Sequence, residues 1–242
     1  MIIEGKNSVY EALLAGTTFN KLVVQVGHHD ELGENIITEA KERGIRISFS
    51  DKKLLDRLSE SGRHQGFVAE VTEFVYSEVS DMKKLASDLG EQPFVVILDG
   101  IEDPHNLGSI IRTCECAGVH GIVIPKQRSA LVNSTVLKVS AGAASHMKIA
   151  KVTNIHTEIE HLKKDGFWVY AAAMNGEVIY KTNCVGPIAI VIGNEGKGVS
   201  TLTRKLCDGL ISLPQFGKIN SLNAGSAASA IVYEIVRQRN FK

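Results

Sequence analysis

Cysteine is scarce in this chain. Its 242 residues hold four, Cys114, Cys116, Cys184 and Cys207, with no Cys-x-x-Cys pair and no histidines at metal-ligand spacing. Zinc, and metal in general, is therefore not expected, and reduced thiols suit a cytosolic protein. Cys114 and Cys116 sit among apolar neighbours and read as small buried hydrophobes; a catalytic thiol is the competing reading. Net charge is lacking too, since 27 Lys and Arg balance 27 Asp and Glu, which argues against a polyelectrolyte binder. The balance is uneven along the chain. Residues 1–75 carry nine basic against twelve acidic side chains, and residues 90–242 sixteen against twelve, so any nucleic-acid surface is modest and local. No apolar run is long enough to span a bilayer. Met1-Ile-Ile-Glu-Gly-Lys6 lacks the basic start and apolar core of a signal peptide. A cytoplasmic protein without membrane contact is expected.

What is present is an ordinary globular composition, 44% hydrophobic and 22% charged, in a chain long enough for one large domain or two ordinary ones. The first third alternates short helices and strands. Ser8-Val-Tyr-Glu11 reads as a capping box opening a helix that Gly16 closes. Strands are expected at Leu22–Val26, Ile45–Phe49 and Phe67–Val71, with helices capped by Asp30 and Asp51 between them. That is an α/β domain over 1–75. From 76 to 92 the pattern loosens into a linker with a short helix capped by Ser80. The remainder, 93–242, is a βα series. Strands are expected at Phe94–Leu98, Gly121–Ile124, Ile149–Val152, Phe167–Ala173, Ile188–Ile192 and Leu210–Leu213. Helices are expected at 106–117, about 133–140, 155–164, about 199–206 and 222–239. Such alternation implies a largely parallel sheet covered on both faces.

Three loops follow strands of this series, where open α/β sheets bind ligands. The first, Asp99-Gly-Ile-Glu-Asp-Pro-His-Asn106, leads into a helix for which Asn106 can be the N-cap. Arg112 lies six residues on and is expected near the same mouth. The second is Gly193-Asn-Glu-Gly-Lys-Gly-Val-Ser200. It meets neither the phosphate-loop pattern nor the dinucleotide fingerprint, and Glu195 at its centre would repel an anion while suiting a cationic group or a hydroxyl. The third, Pro214 to Asn223, precedes the last helix, whose N-cap is Ser221 or Asn223.

Asn106-Leu-Gly-Ser-Ile-Ile-Arg112, Gly193-Asn-Glu-Gly-Lys-Gly198, and Leu213-Pro214 with Ser221-Leu-Asn223 together resemble the three motifs of the SpoU (TrmH-like) branch of the SPOUT RNA methyltransferases. Glu4-Gly-Lys-Asn-Ser-Val-Tyr-Glu-Ala-Leu13 and His64-Gln-Gly66 resemble the substrate-binding domain of the subfamily that methylates a guanosine of large-subunit (23S) ribosomal RNA. Ala224-Gly225-Ser226 departs from many relatives and bears on helix packing or dimer contacts. The resemblance implies methyl transfer from S-adenosylmethionine to a ribose 2′-hydroxyl, a parallel sheet ending in a trefoil knot, and a homodimer. It implies catalytic roles for Arg112, Asn106, Glu195, Ser221 and Asn223, with cofactor held at Gly193, Leu213, Leu222 and Ala172. The arginine is proposed as base in that family. A guanidinium with a pKa above roughly 12 is a poor base, so Arg112 is read instead as orienting the hydroxyl or stabilising oxyanion character, with Glu195 orienting Arg112 or Asn106. Lys126, Arg128, Lys197 and Lys218 are candidates for RNA phosphate contact. The alternatives are the same chemistry on transfer RNA or another ribosomal site, and an RNA-binding or assembly factor without turnover.

Overall fold

The apolar positions of the first third close a four-stranded sheet in the computed structural model, which describes all residues except 15, 16, 18, 28, 29, 60, 72, 73, 219, 220 and 242. The elements are β1 (Ile2–Glu4), α1 (Lys6–Leu14), β2 (Phe19–Gln25), α2 (Glu31–Glu42), β3 (Ile47–Ser50), α3 (Lys52–Leu58) and β4 (Phe67–Val71). The order is β1-β4-β2-β3, with β4 antiparallel to β1 and β2, and β2 parallel to β3. Asp30 and Asp51 cap α2 and α3, each accepting a backbone N–H at 3.0 Å. The expected capping box at Ser8 is replaced: α1 begins three residues earlier than such a cap would place it, and the Gln65 side-chain oxygen accepts from Lys6 N at 3.2 Å. Gly16, expected to end α1, lies outside the described residues. The three-residue β1 was not anticipated, being too short to show alternation. His64 is buried, its Nδ1 accepting from Gly66 N at 3.0 Å and its Nε2 lying 2.9 Å from Asp56.

The chain divides into Met1–Val75 and Tyr76–Lys242. The stretch read as a linker, 76–92, therefore belongs to the second unit. It carries α4 (Val79–Leu89), which starts one residue after Glu78 and not at Ser80; the Glu78 N–H donates to Asp81 at 2.9 Å. Met82 of α4 is fully buried, and a Cβ at Gly121 would come within 2.3 Å of it. That helix is thus part of the core, which explains why glycine opens the strand beneath it.

The rest follows as β5 (Phe94–Asp99), α5 (Pro104–Cys116), β6 (Gly121–Pro125), α6 (Ser134–Val139), β7 (Ile149–Val152), α7 (Ile155–Lys164), β8 (Trp168–Val178), β9 (Ile188–Gly193), α8 (Thr201–Leu206), β10 (Gly209–Ser212) and α9 (Ala224–Asn240). All pairings are parallel, in the order β10-β8-β9-β5-β6-β7. Alternate residues such as Val95, Ile97, Val169 and Val191 pack with Met82 and with Ile155, Ile159 and Leu162 of α7. The opposite face meets α5 and α9, which also pack on each other. β8 runs past the expected Ala173 because its ladder with β10 skips: Leu210 pairs with Ala171, but Ile211 pairs with Glu177. Residues 172–176 stand out of the ladder between these points, and Ser212 Oγ donates to Gly176 O at 2.8 Å where they rejoin it.

Candidate active site

Register brings the first two loops together. Asp99 pairs with Gly193 at the ends of β5 and β9, so Gly100 and Asn194 start adjacent loops. Any Cβ at Gly193 would lie 2.1 Å from Val199 N, and only glycine admits so close a return of the backbone. The third loop arrives by another route. It leaves β10 and enters α9, and α9 lies on α5 closely enough that a Cβ at Gly225 would meet Ser109 Oγ at 3.0 Å. Ser229 Oγ and Thr113 Oγ1 are 2.8 Å apart along the same seam. Gly225 sets this approach, which brings Asn223 to Asn106 at the start of α5.

Asn106 is not the cap of its helix. Asp103 holds that position and accepts from His105 N at 3.0 Å, with Pro104 in the first turn. The Asn106 amide is therefore free to turn inward, where the residue is 8% exposed. Its Nδ2 donates to Glu195 Oε1 at 3.1 Å, and its Oδ1 accepts from Asn223 Nδ2 at 2.9 Å. Asn223 Nδ2 also donates to Glu195 Oε1, to which Ala224 N donates at 3.3 Å. The carboxylate thus sits at the N-terminus of α9, where the helix dipole favours negative charge. Asn223 is the cap of α9, accepting from Gly225 N at 2.8 Å and Ser226 N at 3.2 Å. One residue from each of the three segments meets here: Asn106 in the first turn of α5, Glu195 in the second loop and Asn223 at the end of the third.

Among the described residues, the other expected side chains make no hydrogen bond into that cluster. Arg112 is exposed on α5 and, among the described residues, has no hydrogen-bond or ion-pair partner. Six residues turn a helix by about 240° and advance it by about 9 Å, so Arg112 does not share the face of Asn106, and Glu195 orients Asn106 in its place. Ser221 is exposed beside Leu222, which is 44% exposed; Leu213 and Ala172 are half-buried. Lys126, Arg128, Lys197 and Lys218 are all exposed, on the loops after β6, β9 and β10. Cys114 is buried and desolvation pushes its thiol far up, while burial raises Cys184 to about 11 and Cys207 to about 12. None of these three is a poised thiolate. Cys116, expected to be buried, is exposed.

Sequence reasoning missed Asn194 as part of this site, while Asp99 has a structural role. Asn194 Nδ2 donates to Gly100 O at 3.0 Å, and Asp99 Oδ2 accepts from Ser200 N at 2.9 Å. Both contacts depend on the β5–β9 register, which no local pattern reveals.

The second unit is a parallel α/β unit with three segments joined at the carboxyl edge of its sheet, preceded in the chain by a separate small α/β unit. The SpoU rRNA Methylase family matches residues 93–233, and the RNA 2′-O ribose methyltransferase substrate binding domain matches residues 2–77. A TrmH-family protein, YacO, of Bacillus subtilis (strain 168) is 43% identical over 238 residues, covering 98% of this chain and 95% of the relative. One from Staphylococcus haemolyticus (strain JCSC1435) is 40% identical over 241 residues, covering 99% and 96%. In fold, the chain is similar to the SpoU methyltransferase AviRb from Streptomyces viridochromogenes in complex with AdoMet. That likeness has a TM-score of 0.70 at 23% identity over 98% of this chain and 89% of that one. The A. aeolicus TrmH/SpoU tRNA modifying enzyme gives a TM-score of 0.56 at 27% identity over 65% and 83%. The chain belongs to the SpoU RNA methyltransferase family. Among the described residues, no helix is long and apolar enough to cross a membrane.

Proposed function

We propose that this protein methylates a ribose 2′-hydroxyl of RNA, and that its target is a guanosine of 23S ribosomal RNA. The observation that carries the chemistry is the joining of Asn106, Glu195 and Asn223 from three separate loops. Such a cluster fixes the three segments against one another at the carboxyl ends of the strands, which is what a bound cofactor and a flexible RNA require. S-adenosylmethionine supplies the methyl group when bound. The chain offers a fitting cradle for its purine. Among the described residues, the backbone from Leu213 to Gly217 makes no hydrogen bond to protein, so its polar groups are open to a purine edge, with Leu213 and Leu222 as apolar flanks. Gly193 lets the second loop fold back closely on itself at Val199.

Arg112 stands outside the cluster with its guanidinium in solvent, and that suits a group whose partner is the RNA. We assign it to the 2′-hydroxyl or the adjacent phosphate, where a fixed cation stabilises developing negative charge. Ser221, exposed on the third loop, is assigned to RNA or cofactor contact. Lys126, Arg128, Lys197 and Lys218 form a basic rim for phosphates, and the first unit, acidic overall, reads shape and exposed bases. The likeness of residues 2–77 to a substrate-binding domain supports RNA as the partner. Two copies of the chain acting together, and a knotted path through the third loop, belong to the same reading.

The test is tritiated methyl transfer from S-adenosylmethionine to ribosomal and transfer RNA, followed by mapping of the modified nucleotide. A single 2′-O-methylguanosine in 23S RNA is expected. Methylation confined to transfer RNA overturns the target, and tight cofactor binding with no transfer to any RNA overturns the enzymatic reading.

A further inference from the structure

We propose that Asn194 is a positioning residue that holds Glu195 in place, an inference that rests on Glu195 serving the three-loop site. Glu195 is exposed, so in an untethered loop its carboxylate would have water in place of Asn106 and Asn223. The tether is the neighbouring amide, used at both ends. Asn194 Oδ1 accepts from Gly196 N at 2.9 Å and, more weakly, from Lys197 N at 3.5 Å. That is an Asx-turn closing around Glu195. Its main-chain oxygen accepts from Gly198 N at 2.7 Å, and Gly198 takes the left-handed φ of +65° that returns the chain. These bonds shape the turn but do not place it. Placement comes from Nδ2, which donates to Gly100 O at 3.0 Å and so ties the turn to the first loop. At the far end of the segment, Asp99 accepts from Ser200 N at 2.9 Å. The second loop is thus pinned at both ends to the end of β5, and Glu195 projects from the pinned span toward Asn106 on the helix that β5 feeds.

Only a side chain that donates and accepts at this length performs both tasks. Serine at 194 is neutral and closes the same kind of turn more weakly, but its hydroxyl falls short of Gly100 O. Asn194→Ser therefore removes the tie while retaining the turn. A net hydrogen bond corresponds to roughly two- to tenfold in an equilibrium, and kcat for methyl transfer is expected to fall about tenfold with KM for RNA nearly unchanged.

The experiment is a double-mutant cycle of Asn194→Ser with Glu195→Gln, read in kcat, together with hydrogen exchange over residues 194–200 and 222–228. If Asn194 acts through Glu195, the serine variant costs less than about twofold once Glu195 is already glutamine. In the single variant, exchange then quickens in both segments, because α9's first amide loses its seated carboxylate. Equal losses in both backgrounds, or unchanged exchange at 222–228, overturn the proposal. Exchange needs no activity. A wild-type protein that methylates no RNA would thus defeat the functional reading while the exchange result still decides whether the tie exists.

Discussion

Asn223 performs two jobs with one side chain, and two substitutions separate them. Its Oδ1 caps α9, while its Nδ2 donates to Asn106 and Glu195. Asn223→Ala removes everything. The lost cap costs about 1 kcal/mol, and Asn106, at 8% exposure, is left with an acceptor short of a partner, a further loss of about 1–2 kcal/mol. The bond to exposed Glu195 adds little, since water replaces it. Unfolding of the second unit in urea should therefore show a loss of about 2–3 kcal/mol. Asn223→Asp retains the cap, and the helix N-terminus favours its charge. It gives up both donations, however, and sets a second carboxylate against Glu195; at about 3 Å across a solvent-exposed gap that repulsion is about 1–2 kcal/mol before rotation relieves it. The aspartate variant should thus be more stable than the alanine variant yet lose methyl transfer just as completely in single-turnover assays at saturating S-adenosylmethionine. Near-normal transfer by Asn223→Asp would reduce Asn223 to a helix cap and refute the reasoning.

Arg112→Ala should raise the barrier to methyl transfer by about 2–4 kcal/mol without moving the thermal midpoint, since the side chain is exposed; single-turnover rates with melting curves check both. Met82→Ala should cost the second unit about 2–5 kcal/mol, because the side chain is fully buried among α7 and the sheet. Urea unfolding that leaves this unit unaffected would return 76–92 to the status of a linker. His120 should make stability pH-dependent. Its Nδ1 accepts from Phe94 N at 3.1 Å, which requires the neutral ring, and desolvation holds its pKa below the ordinary imidazole value despite Glu91 nearby. The unfolded chain takes a proton that the folded chain resists. Stability from this group is therefore full above about pH 6.5 and is lost as pH falls toward the folded pKa; a His120→Gln variant should show a shallower decline across that window in urea titrations.

The fold was largely legible because its strands are buried on both faces and stand out as unbroken apolar runs. Phe94–Leu98 and Ile188–Ile192 are read directly from such runs, each one residue short of the observed strand, and Asp30 and Asp51 announce their helices by chemistry that is local. What was missed depends on partners distant in sequence. β1 exists only because β4 pairs with it, and α1 starts at Lys6 only because Gln65, 59 residues away, supplies the cap. The stretch 76–92 looks like a linker by composition, and only the space above Gly121 shows that Met82 is core. The excursion at 172–176 is invisible for a related reason, since it is a property of the β8–β10 ladder and not of either strand alone.

The site divides along the same line. Asn106, Glu195 and Asn223 could be nominated from residue type and position after a strand, but their roles could not, because each has a plausible local use. The decisive case is Asn106. As an N-cap its amide oxygen would be occupied by its own helix; with Asp103 and Pro104 supplying the start of α5, that amide becomes available to both Glu195 and Asn223. The substitution of one capping residue for another three positions earlier is therefore what converts a helix terminus into the keystone of a three-loop site. It also bears on Arg112. A helix that starts at Pro104 and turns Asn106 inward turns the residue six positions on toward solvent, while the carboxylate of Glu195 is engaged by Asn106 and Asn223.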